Sequence, residues 1–378
     1  MLMIKEKRIL IFYITEHSGH HSAALAIEKA LKLRDPDCQV LCVNVFRHAF
    51  PIVERLVHYL YLLVIKKVPV IWEKMYDNPT FYKNTQKVKG FINHLGVKKI
   101  KRFIDSFNPD LVVCTQAFPC GIVAEYKKTY GKQIPLIGAL TDFSPHLFWI
   151  YDLVDYFVVP SQDSMQMLLK KGVDARKVLL LGIPIDPKFS ITYDRGELAA
   201  QFGLKVDLPI VLVMGGGRGL GPIKNLLVLL DKADLNLQVI MVCGVNDELY
   251  NWVQKQSFTK KVLNFAFTDQ VERLMSVASL VITKPGGITT AEILAKKRSM
   301  IIINPIPGQE ARNADFLVKN KIAVKVDSLQ EVIPAIKGIL KKGSGDDDFL
   351  MGCQRLAKPD SSVKLADFLL EYSIKPRY

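Results

Sequence analysis

Arg8-Ile-Leu-Ile-Phe-Tyr-Ile-Thr-Glu-His-Ser-Gly-His-His-Ser-Ala-Ala-Leu-Ala-Ile-Glu-Lys-Ala-Leu-Lys-Leu33 passes from one structural period to another within a few residues. The apolar run Arg8–Ile14 has the length and composition of a buried strand. After a short polar turn, Ala24, Ile27, Ala30 and Leu31 recur at helical spacing, which predicts a helix over His21–Leu33. No small-residue cleavage site follows the apolar run, so a strand explains it better than a secretion signal. Working outward, further strand-length apolar runs lie at Gln39–Val45, Leu111–Cys114, Leu136–Leu140, Tyr156–Val159 and Val178–Leu181, each bounded by turn residues. A second series begins near Pro209, with Ile210–Met214, Gln238–Val242, Val262–Phe265, Leu280–Ile282 and Met300–Ile303. Strands alternating with helical patterns imply parallel sheets covered by helices. The expected architecture is α/β: two doubly wound Rossmann-like domains, over 1–190 and 191–360. They are joined through a proline-containing polar stretch near 190–207, and a last helix over 361–378 is expected to pack back on the N-terminal domain.

The 378 residues carry 49% hydrophobic and 23% charged side chains, an ordinary globular balance, but the net charge is +14. From Lys66 to Arg102 there are 10 basic residues against Glu73 and Asp77. Just before this window Ile52, Leu56, Leu60 and Leu63 form an apolar stripe at helical spacing. Apolar residues beside lysine clusters suit an interfacial helix on an anionic lipid surface; a core-facing helix accounts for the stripe equally well. The longest apolar run, near Val57–Ile65, is too short to span a bilayer. The six cysteines form no C-x-x-C pair and show no zinc spacing, which suits reduced thiols in the cytoplasm. Asp35-Pro-Asp37 has the spacing of a metal-binding carboxylate pair, but it follows a helix and precedes a strand, as a surface turn does. Helix-turn-helix, RNA-binding and zinc-finger signatures are lacking, so nucleic acid is not an expected partner.

Four turns carry chemistry. Ser18-Gly19-His20-His21 leaves the first strand and begins a helix, where partial positive charge favours an anion and a histidine can exchange protons. Met214-Gly-Gly-Gly-Arg-Gly-Leu-Gly221 follows the first strand of the second series and brings Gly216, Gly217 and Arg218 within reach of phosphate oxygens. It is neither a P-loop nor a dinucleotide fingerprint, because no Gly-Lys-Ser/Thr follows and no acidic residue ends the next strand. Thr283-Lys-Pro-Gly-Gly-Ile-Thr-Thr-Ala-Glu292 places Gly286 and Gly287 at a second such turn, with Thr289 as a cap and Glu292 on the helix beyond. Asn304-Pro-Ile-Pro-Gly-Gln-Glu-Ala-Arg-Asn313 offers Gln309, Glu310 and Asn313 as readers of sugar hydroxyls.

Together with Thr141-Asp-Phe-Ser-Pro-His-Leu-Phe-Trp149, Asp155-Tyr-Phe-Val-Val-Pro160 and Gly182-Ile-Pro-Ile-Asp-Pro-Lys-Phe189, these segments resemble glycosyltransferase family 28 over about residues 8–325. The likeness is to its monogalactosyl- and glucosyl-diacylglycerol synthases. The resemblance implies the GT-B fold, with the active site between two Rossmann-like domains. It implies an inverting transfer of glucose or galactose from UDP-glucose or UDP-galactose to diacylglycerol, on the inner face of the cell membrane, with no cofactor and no metal. His20 takes the position of the general base, and His21 receives no role. Gly19, Gly216, Gly217, Arg218, Gly286, Gly287 and Thr289 fall in the donor-binding turns. Glu292 falls at the ribose, and Gln309, Glu310 and Asn313 fall at the hexose. Asp142 joins His20 in the catalytic segment; His146 and Trp149 are placed near the acceptor. Leu56, Leu60, Lys66, Lys67, Lys98, Lys99 and Arg102 are placed on the membrane side, against anionic lipids. Two other UDP-sugar enzymes share this fold: a transferase acting on a polyprenyl-linked acceptor, whose first loop is usually richer in glycine, and a UDP-sugar 2-epimerase, which would carry additional acidic catalytic residues.

Overall fold

The computed structural model describes residues 6–49, 96–144, 147–219, 221–342 and 347–372. Its strands form two six-stranded sheets, and every pairing is parallel. The first sheet comprises β1 (Arg8–Tyr13), β2 (Gln39–Asn44), β3 (Leu111–Cys114), β4 (Leu136–Ala139), β5 (Tyr156–Val158) and β6 (Val178–Leu179), in the order β2-β1-β3-β4-β5-β6. The second comprises β7 (Ile210–Met214), β8 (Gln238–Val242), β9 (Val262–Phe265), β10 (Leu280–Thr283), β11 (Ser299–Ile302) and β12 (Ala323–Lys325), in the order β12-β11-β10-β7-β8-β9. Parallel sheets bury both faces, and β1, β3, β7 and β10 accordingly read as nearly unbroken apolar runs.

The chain divides into two compact units. One contains 1–187, 306–309 and 360–378, and the other contains 188–305 and 310–359. In the first, one face of the sheet packs around Phe12, Val112, Tyr126, Trp149 and Phe157. The other face packs under the helix Gly19–Arg34 and the helix Ser361–Tyr372, where Leu365, Ala366 and Leu369 are completely buried. That last helix is also held by polar groups: Ser361 Oγ donates to the Ile183 carbonyl at 2.7 Å, and Ser362 Oγ donates to the Ile185 carbonyl at 2.6 Å. In the second unit a core around Val213, Leu226, Leu230, Met241 and Ile282 lies between sheet and helices.

Where the structure differs from the sequence reading, local chemistry explains it. The first helix begins at Gly19, two residues earlier than its apolar spacing predicts, because Ser18 caps it by accepting the His21 amide. The edge strand β12 escaped the sequence reading; its three residues are half-buried or exposed and give no apolar run. Val45–Ala49, part of it assigned to a strand, is a short helix. The stripe of Leu56 and Leu60, the lysines Lys66 and Lys67, and His146 lie outside the described residues.

Both sheets have a point where strand order reverses. In the first it falls between β1 and β3, and in the second between β7 and β10. Helices leaving the strands on either side of such a point diverge to opposite faces, and the crevice at the carboxyl ends is where doubly wound folds bind ligands.

Candidate active site

At the reversal point of the first sheet, the turn from β1 is under backbone strain. Thr15 and His17 both adopt left-handed φ, 60° and 54°, without being glycine. Such conformations cost on the order of 1–3 kcal/mol each and concentrate at functional sites. Ser18 steadies the turn by donating its hydroxyl to the Thr15 carbonyl at 2.7 Å.

His20, in the first turn of the helix, reaches across to the residue following β3. Its Nδ1 lies 3.0 Å from the carbonyl oxygen of Thr115 and 2.9 Å from Oγ1 of Thr141, which follows β4. Thr115 Oγ1 in turn donates to the His20 main-chain carbonyl at 2.9 Å. A carbonyl can only accept, so Nδ1 carries the proton and Nε2 of the neutral ring holds the lone pair. Burial pushes the His20 pKa below its ordinary value; the Asp142 carboxylate and the Thr115 bond oppose this without cancelling it. The ring is therefore neutral at pH 7, with Nε2 available as a base. Asp142, half-buried beside Thr141, acts on it through charge.

His21 faces elsewhere. It stacks on Tyr13 with ring centroids 4.5 Å apart and 16° between planes, and its Nδ1 lies 3.3 Å from Glu16. Glu16 also accepts from Tyr13 Oη at 2.9 Å and from Asn44 Nδ2 at 3.2 Å. The second histidine thus belongs to a network that fixes the turn. Trp149 is a core residue, only 4% exposed, with its ring against Gly138 of β4; this packing opposes an acceptor- or membrane-facing position. Lys98, Lys99 and Arg102 are exposed on one side of a helix over 96–107 whose other side buries Val97, Ile100 and Ile104.

At the reversal point of the second sheet, Thr283 of β10 is in register with Met214 of β7 and Ile302 of β11, so three turns leave the sheet side by side. The helix Gly287–Ala295 starts at Gly286 with no side-chain cap, leaving its first amides for another acceptor. Gly286 has φ −66°, and a Cβ added there would meet nothing within 4 Å, so packing does not require glycine at this position. The hydroxyls of Thr283 and Thr290 are buried and, among the described residues, have no hydrogen-bond partner. An uncapped helix start beside open space suits an anion. Thr289 and Glu292 lie on one face of the same helix, both half-buried. Lys284 Nζ pairs with Glu310 Oε1 at 3.0 Å. Gln309 is half-buried at the start of the helix Gln309–Lys319. Asn313 is completely buried and donates Nδ2 to the Pro285 carbonyl at 3.1 Å, a tie that supports the glycine turn.

The other glycine turn is partly explained by packing. Gly216 and Arg218 are half-buried and Gly217 is exposed. Gly219 has φ 57° and its Cβ would lie 2.4 Å from the Cys243 carbonyl oxygen; Gly244 has φ 63° and its Cβ would lie 2.3 Å from that of Gly217. Neither can carry a side chain without moving main chain. Gly244, which the sequence reading passed over, is thus part of this turn.

Residues 20–185 match the family model described as monogalactosyldiacylglycerol (MGDG) synthase, and residues 210–342 match the glycosyltransferase family 28 C-terminal domain. A processive diacylglycerol beta-glucosyltransferase of Bacillus cytotoxicus is 30% identical over 385 residues, covering 98% of this chain and 95% of the relative. The chain belongs to the diacylglycerol glycosyltransferases of glycosyltransferase family 28. Among solved structures, MurG of Acinetobacter baumannii superposes with a TM-score of 0.63 at 14% identity, over 97% of this chain and 99% of MurG. CalG4, the calicheamicin glycosyltransferase, gives 0.64 at 13% identity, over 99% and 100%. These likenesses show the GT-B fold. As a member of this family the chain is a glycosyltransferase, and the sequence reading of family and fold holds.

The charge environment of His20 has a measurable consequence. kcat/KM reports the base of the free enzyme. Its acidic limb is expected below pH 6.5. Asp142→Asn removes the charge that raises the His20 pKa, so the limb moves to still lower pH. A limb above 6.5, or one that Asp142→Asn leaves in place, contradicts the assignment.

Proposed function

We propose that the protein transfers a hexose, glucose or galactose, from its UDP-sugar to diacylglycerol at the surface of an anionic membrane, with inversion at the anomeric carbon and without a metal ion. The observation that carries this reading is the bonding of His20, which leaves Nε2 with a lone pair at the reversal point of the first sheet. The lipid hydroxyl gives its proton to Nε2 as its oxygen attacks the anomeric carbon. The bond from that carbon to the diphosphate oxygen breaks, and negative charge builds on the UDP leaving group. The uncapped amides from Gly287 onward and the partial positive charge of their helix suit that charge. Gly216, Gly217 and Arg218 add a second phosphate contact. Gly19 begins the helix that carries His20. Glu292, one turn beyond Thr289, is assigned to the ribose, and Gln309 and Glu310 to the hexose.

Asp35 and Asp37 stand at the amino end of β2, away from the carboxyl ends where this chemistry collects, and Asp35 lies 3.7 Å from Lys7. This placement supports a phosphate grip made of main chain and Arg218.

A direct test gives the purified protein diacylglycerol vesicles and each of several UDP-sugars, with EDTA present, and identifies the lipid product by mass. One UDP-hexose is expected to yield hexosyl-diacylglycerol despite EDTA. His20→Ala is expected to lower turnover by roughly a hundredfold or more, the scale of a lost general base, and to leave UDP binding nearly intact. Activity that EDTA abolishes and magnesium restores contradicts metal independence. A polyprenyl-linked product contradicts the acceptor, and full activity of His20→Ala contradicts the base.

The exposed face of Lys98, Lys99 and Arg102 supports contact with anionic lipid, each cation contributing on the order of 1 kcal/mol near such a surface. Among the described residues no helix is long and apolar enough to cross a membrane. Attachment is proposed to be peripheral, on the cytoplasmic face. Replacing Lys98, Lys99 and Arg102 together by glutamate is expected to release the protein from phosphatidylglycerol vesicles while leaving UDP affinity unchanged. Salt near 1 M, where the Debye length is about 3 Å, is expected to weaken the wild type likewise. Unchanged sedimentation of the variant contradicts this.

A further inference from the structure

Lys284 leaves the carboxyl end of β10 directly before the glycine turn. Its side chain is 9% exposed, and its ammonium group lies 3.0 Å from Glu310, which keeps 20% of its side chain exposed. Other ties already hold the elements on either side of this pair. β10 and β11 are already joined through Thr283 and Ile302, and Asn313 already ties the helix Gln309–Lys319 to the turn at Pro285. A buried pair also contributes little net stability, because the cost of removing both charges from water offsets most of their attraction. The pair holds one oxygen of the Glu310 carboxylate beside the residue that opens the glycine turn. A glutamate side chain has three rotatable bonds, and a carboxylate accepts well from two vicinal hydroxyls only when held in one orientation.

We propose that Lys284 is a positioning residue that orients the Glu310 carboxylate toward the hydroxyls of the donor hexose, so that recognition of the hexose, and not of the nucleotide, depends on it. The role rests on the reading of the second unit as the donor site. Arg218 and the uncapped helix start supply the phosphate contacts, so Lys284 is not needed there.

Calorimetry on the full-length protein with UDP and with the preferred UDP-hexose, alongside kcat and KM, tests this. Lys284→Met is expected to weaken UDP-hexose binding about tenfold or more, the scale of a lost hydrogen bond to a charged group. UDP affinity should stay within about twofold on the same scale. Lys284→Arg, which restores a cationic donor, should recover most of the loss. Glu310→Gln should resemble Lys284→Met, and the double variant should be little worse than either, because both remove one interaction. Equal weakening of UDP and UDP-hexose by Lys284→Met would overturn the proposal, since the lysine would then grip the diphosphate. Unchanged binding of both ligands overturns it too, leaving a purely structural pair. Should Lys284→Met fail to fold, Lys284→Arg and Glu310→Gln with the same two ligands decide the question. A wild type that binds no UDP contradicts the donor reading itself, which is a separate failure.

Discussion

A parallel sheet whose strand order reverses cannot cover its own carboxyl edge at the reversal, because the helices on either side leave toward opposite faces. The rest of the structure depends on this constraint, met twice in the chain. Between β1 and β3 it exposes the turn carrying His20, and between β7 and β10 it exposes two glycine turns. Strand register then sets distances: Met214, Thr283 and Ile302 end level with one another, so the residues after them are neighbours although 88 positions separate Met214 from Ile302.

Within that frame two opposed electrostatic effects set the charge state of His20. Desolvation drives the His20 ring toward its neutral form, whereas Asp142 and the Thr115 carbonyl favour the proton. The first prevails. The second still matters, because the carbonyl decides which nitrogen carries the remaining proton. The same balance bears on stability. An unfolded histidine binds a proton that the folded ring resists, so this group contributes stability above about pH 6.5 that is lost as the medium becomes acid. The turn after β10 is built differently: its features are uncapped amides, two buried hydroxyls without a partner among the described residues, and a cation held against a carboxylate.

Much of this was legible in the sequence, for identifiable reasons. Buried parallel strands are short apolar runs, so β1, β3, β7, β8, β9 and β10 were readable to within a residue or so. Glycine turns after such strands marked both reversal points, and of two adjacent histidines His20 bonds to Thr115 whereas His21 stacks on Tyr13. Other features depend on contacts that no local pattern encodes. Thr115 is 95 residues from the histidine whose tautomer it sets. Trp149 and Asn313 occupy motif segments, and their burial depends on packing that no local pattern shows. Gly244 and Lys284 take their meaning from neighbours on adjacent strands. The signal for Lys284 was a lysine inside a glycine turn, paired with an acidic residue one strand later.

The central claim is that His20 stands ready as a neutral base with its proton on Nδ1. Nitrogen NMR of the imidazole in protein carrying labelled histidine reads this directly. At pH 7 the account predicts a protonated Nδ1, an unprotonated Nε2 and a titration midpoint below 6.5. A ring protonated on Nε2, or one still doubly protonated at pH 7, would contradict it.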